Sequence, residues 1–338
     1  MQTVRTVVIG AGGIANAVHL PSLKQIHACR ITAVCDLVEA RARQAADTYA
    51  VPAFYTDYHR MLDAERPDAV FVLVRPDEAF RVALDCLRAG CHVMVEKPPG
   101  VTRYQAETLA RTADAQGKHC QVGFNRRFIP LMTRVLRELR ETGDIHQIDG
   151  WFFKSGDAAF YDGGISALAC DAIHTIDLIR YIAKSDPADC ATVTARYGDT
   201  SVKNAWNSVI LFQNGITGTL RANYQTGGRV HGLALHTSAA SAYINMGFGG
   251  EACEAQILYS VQGTFSLSAG GRGEQRITCL DGKEIAGSNE YYRYYGYFDE
   301  DDSFIRALAQ GKPVSCGIVD ALQTMSLVEM LPRKLLHR

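Results

Sequence analysis

Short β-branched runs alternate with helical patterns through the first third of the chain. Val4 to Ile9, Arg30 to Cys35, Asp68 to Val74, His92 to Glu96 and Lys118 to Val122 are mostly apolar and short, as strands covered on both faces are. Between them, apolar residues recur at helical spacing over Glu39 to Tyr49, Tyr58 to Ala64, Phe80 to Ala89 and Thr102 to Gln116, with Gly90 and Gly117 as stops. Strand and helix in alternation predict a doubly wound parallel sheet.

Beyond an amphipathic helix over Met132 to Glu141, closed by Gly143, the texture changes. Ile148 to Lys154 reads as strand, Ser155 to Ile165 as a loop of glycine and small polar residues, and Ser166 to Ala183 as helix. Strand signals then dominate from Ala191 to Thr278, TVTARY, TFSLSA and RITCL among them, and Asn214-Gly215 marks a hairpin turn. Successive hairpins predict one broad, mostly antiparallel open sheet with helices on one face and the other face free. Asp301 to Ala309 and Ile318 to Leu331 read as closing helices.

Four strand ends carry candidate chemistry. Val4 to Ile9 passes straight into Gly10, Ala11, Gly12, Gly13, Ile14 and Ala15, a Gly-x-Gly-x-x-Ala turn opening a helix. The first glycine permits the tight turn, the second lets backbone approach a pyrophosphate, and the small third residue lets helix and strand pack closely. The second strand ends in Asp36, where a carboxylate accepts from ribose hydroxyls and repels a 2′-phosphate. NAD is therefore expected ahead of NADP, although Arg41 or Arg43 could reach a 2′-phosphate. Arg75 and Pro76 close another strand and fall beside the expected cofactor. The run His92 to Glu96 delivers Lys97, followed by Pro98 and Pro99, to its own carboxyl end. Ligands of open parallel sheets bind outside those ends, so Lys97 is a candidate for chemistry; a solvated loop lysine is the alternative.

Composition acts mainly by exclusion. With 338 residues, 47% hydrophobic and 21% charged, the chain has room for two globular domains. A formal net charge of -1 gives no electrostatic footprint for nucleic acid or an anionic membrane, which leaves a small molecule as the partner. Ten cysteines are dispersed from Cys29 to Cys316 without a CxxC pair, so no metal site and no disulfide framework is expected. With no leader-like segment ahead of Val4 and no membrane-length apolar run, a cytoplasmic protein is expected.

GAGGIA, VMVEKPPG and VGFNRRF (Val122 to Phe128), in that order, resemble the Gfo/Idh/MocA family, named for glucose-fructose oxidoreductase and inositol dehydrogenase. The resemblance implies an α/β fold class: an N-terminal Rossmann domain, here residues 1–122, and a C-terminal α+β domain, residues 123–338, whose open sheet mediates homodimers or homotetramers. It implies that Lys97 is catalytic, that its bond to Pro98 is cis, and that Asn125 lies near the nicotinamide. Glu96 is expected as a ribose or lysine partner.

On the helix from Ser166, spacing puts Cys170 or Asp171 on one face with His174, and Asp177 one turn beyond. A carboxylate that orients an imidazole makes a general base, though a satisfied helix histidine beside a surface aspartate fits the same spacing. The family places an Asp-x-x-x-His pair here, so by resemblance His174 matches the base. Four residues back, however, stands Cys170, and Asp171 is three back, about 100° round an α-helix from the family position. Asp157 and Tyr161, with Cys170, are candidate substrate contacts. The tyrosines at 291, 292, 294, 295 and 297 are expected in a core or interface ahead of substrate. The function expected is an NAD-dependent dehydrogenase acting on a secondary alcohol of a sugar, cyclitol or related polyol. The alternative is a non-catalytic dinucleotide-binding sensor or corepressor.

Overall fold

The structure, a computed structural model, describes residues 2–161, 164–248, 252–260 and 276–333. Two compact units emerge. Met1–Phe128, Leu168–Ile173 and Tyr291–Glu329 form the first; Ile129–Ala167, His174–Glu290 and Met330–Arg338 form the second. The division therefore differs from a single cut after residue 122: two later segments return to the first unit. Their apolar side chains are the reason, since Phe304 and Ile305 are fully buried in one core with Val8, Phe71 and Met94. Periodicity along a helix reveals that it has a buried face but not which sheet covers it.

In the first unit, strands β1 (Val4–Ile9), β2 (Cys29–Cys35), β3 (Ala53–Tyr55), β4 (Ala69–Val72), β5 (His92–Glu96) and β6 (Cys120–Gly123) stand in the order β3-β2-β1-β4-β5-β6. Every neighbouring pair is parallel. The order reverses between β1 and β4, and that switch point is where an open α/β sheet offers a crevice. The helix expected from Phe80 begins at Pro76, because proline fits the first helical position, where no amide hydrogen is needed.

The second unit holds β7 (Gln147–Ser155), a small hairpin of β8 (Ala159–Phe160) and β9 (Ile165–Ser166), β10 (Pro187–Ala195), β11 (Ala205–Phe212), β12 (Thr217–Asn223), β13 (Gln225–His236), β14 (Ala240–Met246), β15 (Cys253–Tyr259) and β16 (Ile277–Asp281). Eight of them form one sheet, β10-β11-β12-β7-β13-β14-β15-β16. It is antiparallel except where β12 runs parallel to β7. The expected strand TFSLSA lies outside the described residues. Alternation along β11 is regular: Trp206, Ser208, Ile210 and Phe212 are buried, whereas Val209 and Leu211 on the opposite face are exposed.

The helix Ile173–Ala183 lies against the inner face of this sheet, over glycines. A Cβ at Gly150 would fall 2.8 Å from Thr175 Cγ2 and 2.9 Å from Ile179 Cδ1; one at Gly218 would fall 2.8 Å from Ile179 Cγ2. Two strands thus forgo side chains so that the helix can pack onto their backbones. This fixes the height of the helix that carries His174. Gly150→Val should therefore cost about 1–3 kcal/mol through overpacking. The check is a lower urea midpoint with unchanged slope.

Candidate active site

The turn after β1 has the geometry a dinucleotide needs. Gly10 has φ 99° and its amide donates to Cys35 O at 2.8 Å. A Cβ there would sit 2.3 Å from Leu73 O, so no other residue fits. Around Gly12 and Gly13, by contrast, a Cβ would meet nothing within 4 Å, which leaves open backbone for a phosphate to approach. Ile14 is partly exposed and Ala15 is fully buried, as the small third position requires. Asp36 Oδ2 accepts from Ala11 N at 2.8 Å and Oδ1 from Val38 N at 2.9 Å, so the carboxylate is fixed beside the turn. A cleft of about 320 Å³ is lined by Gly10, Gly12, Asp36, Arg41, Leu73 and Arg75 among others. The shape and donor set fit the adenosine half of NAD. Arg75 pairs with Asp77 at 2.8 Å, and Arg43 with Glu39 at 2.8 Å, which leaves Arg41 as the arginine of its helix on the cleft.

At the carboxyl end of β5, Lys97 is half-buried and its peptide to Pro98 is cis. Lys97 Nζ donates to Cys170 O at 2.9 Å, so the ammonium is held in place. Cys170 thus meets Lys97 through its backbone carbonyl; its side chain is buried. Residues 168–172 form a π-helical turn ahead of the α-helix Ile173–Ala183. The expectation of one continuous α-helix from Ser166 fails here, and so does the 100° offset of Asp171, because a wider i→i+5 turn spaces its residues differently. Asp171 is half-buried in that turn; His174 is buried in the first turn of the helix that follows.

Asn125, after β6, is buried and its Nδ2 donates to Tyr295 O at 2.9 Å, which ties the loop to the helix Tyr291–Tyr294 and its successor residue. Tyr294, Tyr295 and Tyr297 are buried in the first unit, in line with a core role. In the second unit, Asp157 is exposed and its Oδ1 accepts from Ala159 N at 2.8 Å, turning the chain into β8. Tyr161 is half-buried with φ 52°. Nearby, Lys154 Nζ lies 5.2 Å and 5.1 Å from the ring centroids of Phe160 and Tyr224, a cluster that sequence patterning does not single out.

Sequence reasoning also misses a buried ionic group behind Lys97. Glu96 Oε2 accepts from Lys97 N at 3.0 Å, and Glu96 Oε1 meets His19 Nε2 at 3.1 Å. His19 Nδ1 meets Asp301 Oδ1 at 3.0 Å, and both His19 and Asp301 are fully buried. Burial opposes a charge on His19, but the carboxylates of Asp301 and Glu96 outweigh it and push its pKa up to about 10. Burial pushes Asp301 up to about 6 despite the imidazolium beside it. Glu300 is also buried, and no described residue hydrogen-bonds its carboxyl oxygens. Burial, with Glu96 and Asp301 adding repulsion, raises Glu300 well above the carboxylate range. The one signal in the sequence is the acidic run Asp299 to Asp302, which surface placement would explain equally well.

No group of described histidine, cysteine or acidic residues could hold a metal ion, and no described helix is long and apolar enough to cross a membrane. Compared with known proteins, residues 4–124 match the family described as "Oxidoreductase family, NAD-binding Rossmann fold", Gfo/Idh/MocA. The chain is 36% identical over 144 residues to D-glucoside 3-dehydrogenase of Escherichia coli K12, covering 43% of this chain and 41% of that protein. It is 28% identical over 191 residues to inositol 2-dehydrogenase of Salmonella paratyphi B, covering 55% and 56%. The matches thus span about half the length of these curated relatives. Among solved structures, UDP-N-acetylglucosamine 3-dehydrogenase of Acidithiobacillus ferrooxidans shares the fold, with TM-score 0.81 at 20% identity over 99% of this chain and 98% of that one. Residues 4–124 thus carry the nucleotide-binding region of that family, and the rest of the chain shares the fold of such dehydrogenases.

Proposed function

We propose that the chain is an NAD-dependent dehydrogenase that oxidises a secondary alcohol of a sugar, cyclitol or related polyol. The observation that carries this reading is Lys97, held by Cys170 O at the carboxyl edge of a sheet that also presents the glycine turn and Asp36. The names of the two curated relatives, a glucoside and an inositol dehydrogenase, support the substrate class. Asp36 would take the ribose hydroxyls and the amides around Gly12 and Gly13 the pyrophosphate, with Glu96 at the end of β5, Arg75 and Pro76 at the start of the helix after β4 and Asn125 just after β6 as further contacts. NAD, when bound, supplies the acceptor for the hydride that leaves the carbinol carbon.

The chain's own residues handle the proton and the charge. His174 takes the hydroxyl proton as general base. Lys97 donates a hydrogen bond to the same oxygen as negative charge builds on it, an interaction worth most in the transition state. Asp171, three residues before His174 in the chain, is the carboxylate assigned to the same chemistry, while Asp157 and Tyr161 belong to the segment that selects among hydroxylated substrates. The ten dispersed cysteines fit a cytoplasmic setting.

The outer face of the eight-stranded sheet supports a homodimer or homotetramer. Val193, Val209, Leu211, Tyr243 and Ile277 are each about half exposed there, a larger apolar display than a solitary protein carries without use.

Three outcomes follow. Lys97→Ala and His174→Gln should each lower kcat by about 10²- to 10⁴-fold, with NADH affinity by fluorescence titration changed far less. A screen of NAD reduction over glucosides, inositols and free sugars supplies the assay; tight NADH binding with no turnover on any of them favours a dinucleotide sensor. Asp36→Ser should lower the NAD-to-NADP ratio of kcat/KM by about 10- to 100-fold, the worth of a charge-assisted hydrogen bond. Val209→Asp combined with Leu211→Asp should leave the circular dichroism unchanged and convert the oligomer to monomer by light scattering.

A further inference from the structure

We propose that His19, 77 positions from Glu96 in the chain, is the positioning residue for Lys97: clamped between Asp301 and Glu96, it holds the Glu96 carboxylate so that the other oxygen accepts from the Lys97 amide. This rests on the reading of Lys97 as the residue that meets the substrate oxygen. The chain of contacts is continuous within the first unit. Asp301 meets His19 at 3.0 Å, His19 meets Glu96 at 3.1 Å, Glu96 accepts from Lys97 N at 3.0 Å, and Lys97 Nζ donates to Cys170 O at 2.9 Å.

Each part of the clamp is fixed independently. The imidazole lies edge-on to Tyr297, with ring centroids 5.6 Å apart and planes at 83°, and 6.0 Å from Phe71. Glu96 is confined from the other side as well: a Cβ at Gly123 on β6 would fall 3.2 Å from its carboxyl carbon and 3.2 Å from Oε1. The carboxylate therefore has room for one orientation. That orientation presents one oxygen to the imidazole and one to the amide of the residue that matters.

The charges make the clamp selective for a histidine. The groups facing His19 are Asp301, Glu300 and Tyr297 from the helix Tyr297–Ala309 and Glu96 from β5. With Glu300 protonated, the imidazolium and two carboxylates carry one net negative charge behind the Lys97 ammonium. A neutral residue at 19 would leave two carboxylates facing each other in a buried space, and one would then take up a proton or turn away. In either event the Lys97 amide loses a charged acceptor. A misplacement of this kind, far from the reacting atoms, lowers kcat and leaves cofactor binding largely intact.

Two measurements test this. The first needs no substrate: ¹⁵N-histidine NMR of the wild-type protein at pH 8, with His19→Gln assigning the signal, should show both His19 nitrogens protonated. A neutral tautomer there overturns the clamp whether or not the protein turns over any sugar. The second is a double-mutant cycle on kcat, with the alcohol and NAD found active in the screen. His19→Gln should lower kcat by about 10- to 100-fold while KM for NAD changes little, and should cost nothing further in a Lys97→Ala background. Equal losses in both backgrounds, or a loss confined to NAD affinity, would sink the proposal. Should His19→Gln fail to fold, Gly123→Ala, which crowds Glu96 without removing a charge, replaces it in the same cycle with the same expected non-additivity. A wild-type protein with a charged His19 and no turnover refutes the dehydrogenase reading and, with it, the assignment of the clamp to catalysis.

Discussion

The Glu96 carboxyl is shared between two partners inside the first unit, and much around it is arranged to hold it there. One carboxylate oxygen serves the Lys97 amide and the other the His19 imidazole, so neither partner can be removed without stranding a buried charge. The cost of desolvating the group is offset by pairing: imidazole between two carboxylates, and a third carboxyl, Glu300, kept neutral by its surroundings. Aromatic rings enclose the imidazole and exclude water from it. The glycine at 123 and the strand order place Glu96 at the sheet edge where chemistry is expected. Structure and proposed mechanism meet at this one carboxylate.

The second unit solves a different problem, how to hold a helix at a set height above a sheet. It does so by subtraction. Gly150 and Gly218 remove side chains beneath Thr175 and Ile179, and the helix carrying His174 rests on strand backbone. A side chain placed this way has little freedom to move along the sheet normal, which suits the proton transfer proposed for His174, where a few tenths of an ångström matter. The opposite face of the same sheet keeps apolar residues in alternation with polar ones.

Signals that were local in the chain were legible in it. Strand, glycine turn and helix at Val4 to Ala15, the acid at Asp36 and the Glu-Lys-Pro run each carry their meaning within a few residues, and the doubly wound parallel sheet follows from the alternation of strand and helix. What lay out of reach was partnership over distance. His19 reads as an ordinary residue of the first helix until Asp301, 282 positions later, is placed against it. The acidic run Asp299 to Asp302 looks solvated, because acidic runs usually are, yet Glu300 and Asp301 are buried. The π-turn at Leu168–Ala172 was illegible for another reason: its apolar residues follow the sequence pattern of an α-helix, and nothing in that pattern marks the wider turn. The same limit applies to the two later segments that join the first unit, since an apolar helix face does not name its partner.

That return of Tyr291–Glu329 to the first unit bears on how the protein is made. The six parallel strands are complete in the first 123 residues and leave the ribosome early. Until the segment with Phe304 and Asp301 has been synthesised, however, Phe71 and Met94 lack part of their cover and His19 lacks its first carboxylate. The nucleotide-binding sheet is thus the first part to emerge and among the last to close. During translation it passes through a stage with exposed apolar surface and an unpaired imidazole, the stage at which chaperones bind nascent chains. A fragment cut after residue 128 would be arrested there, with its glycine turn intact and its core open.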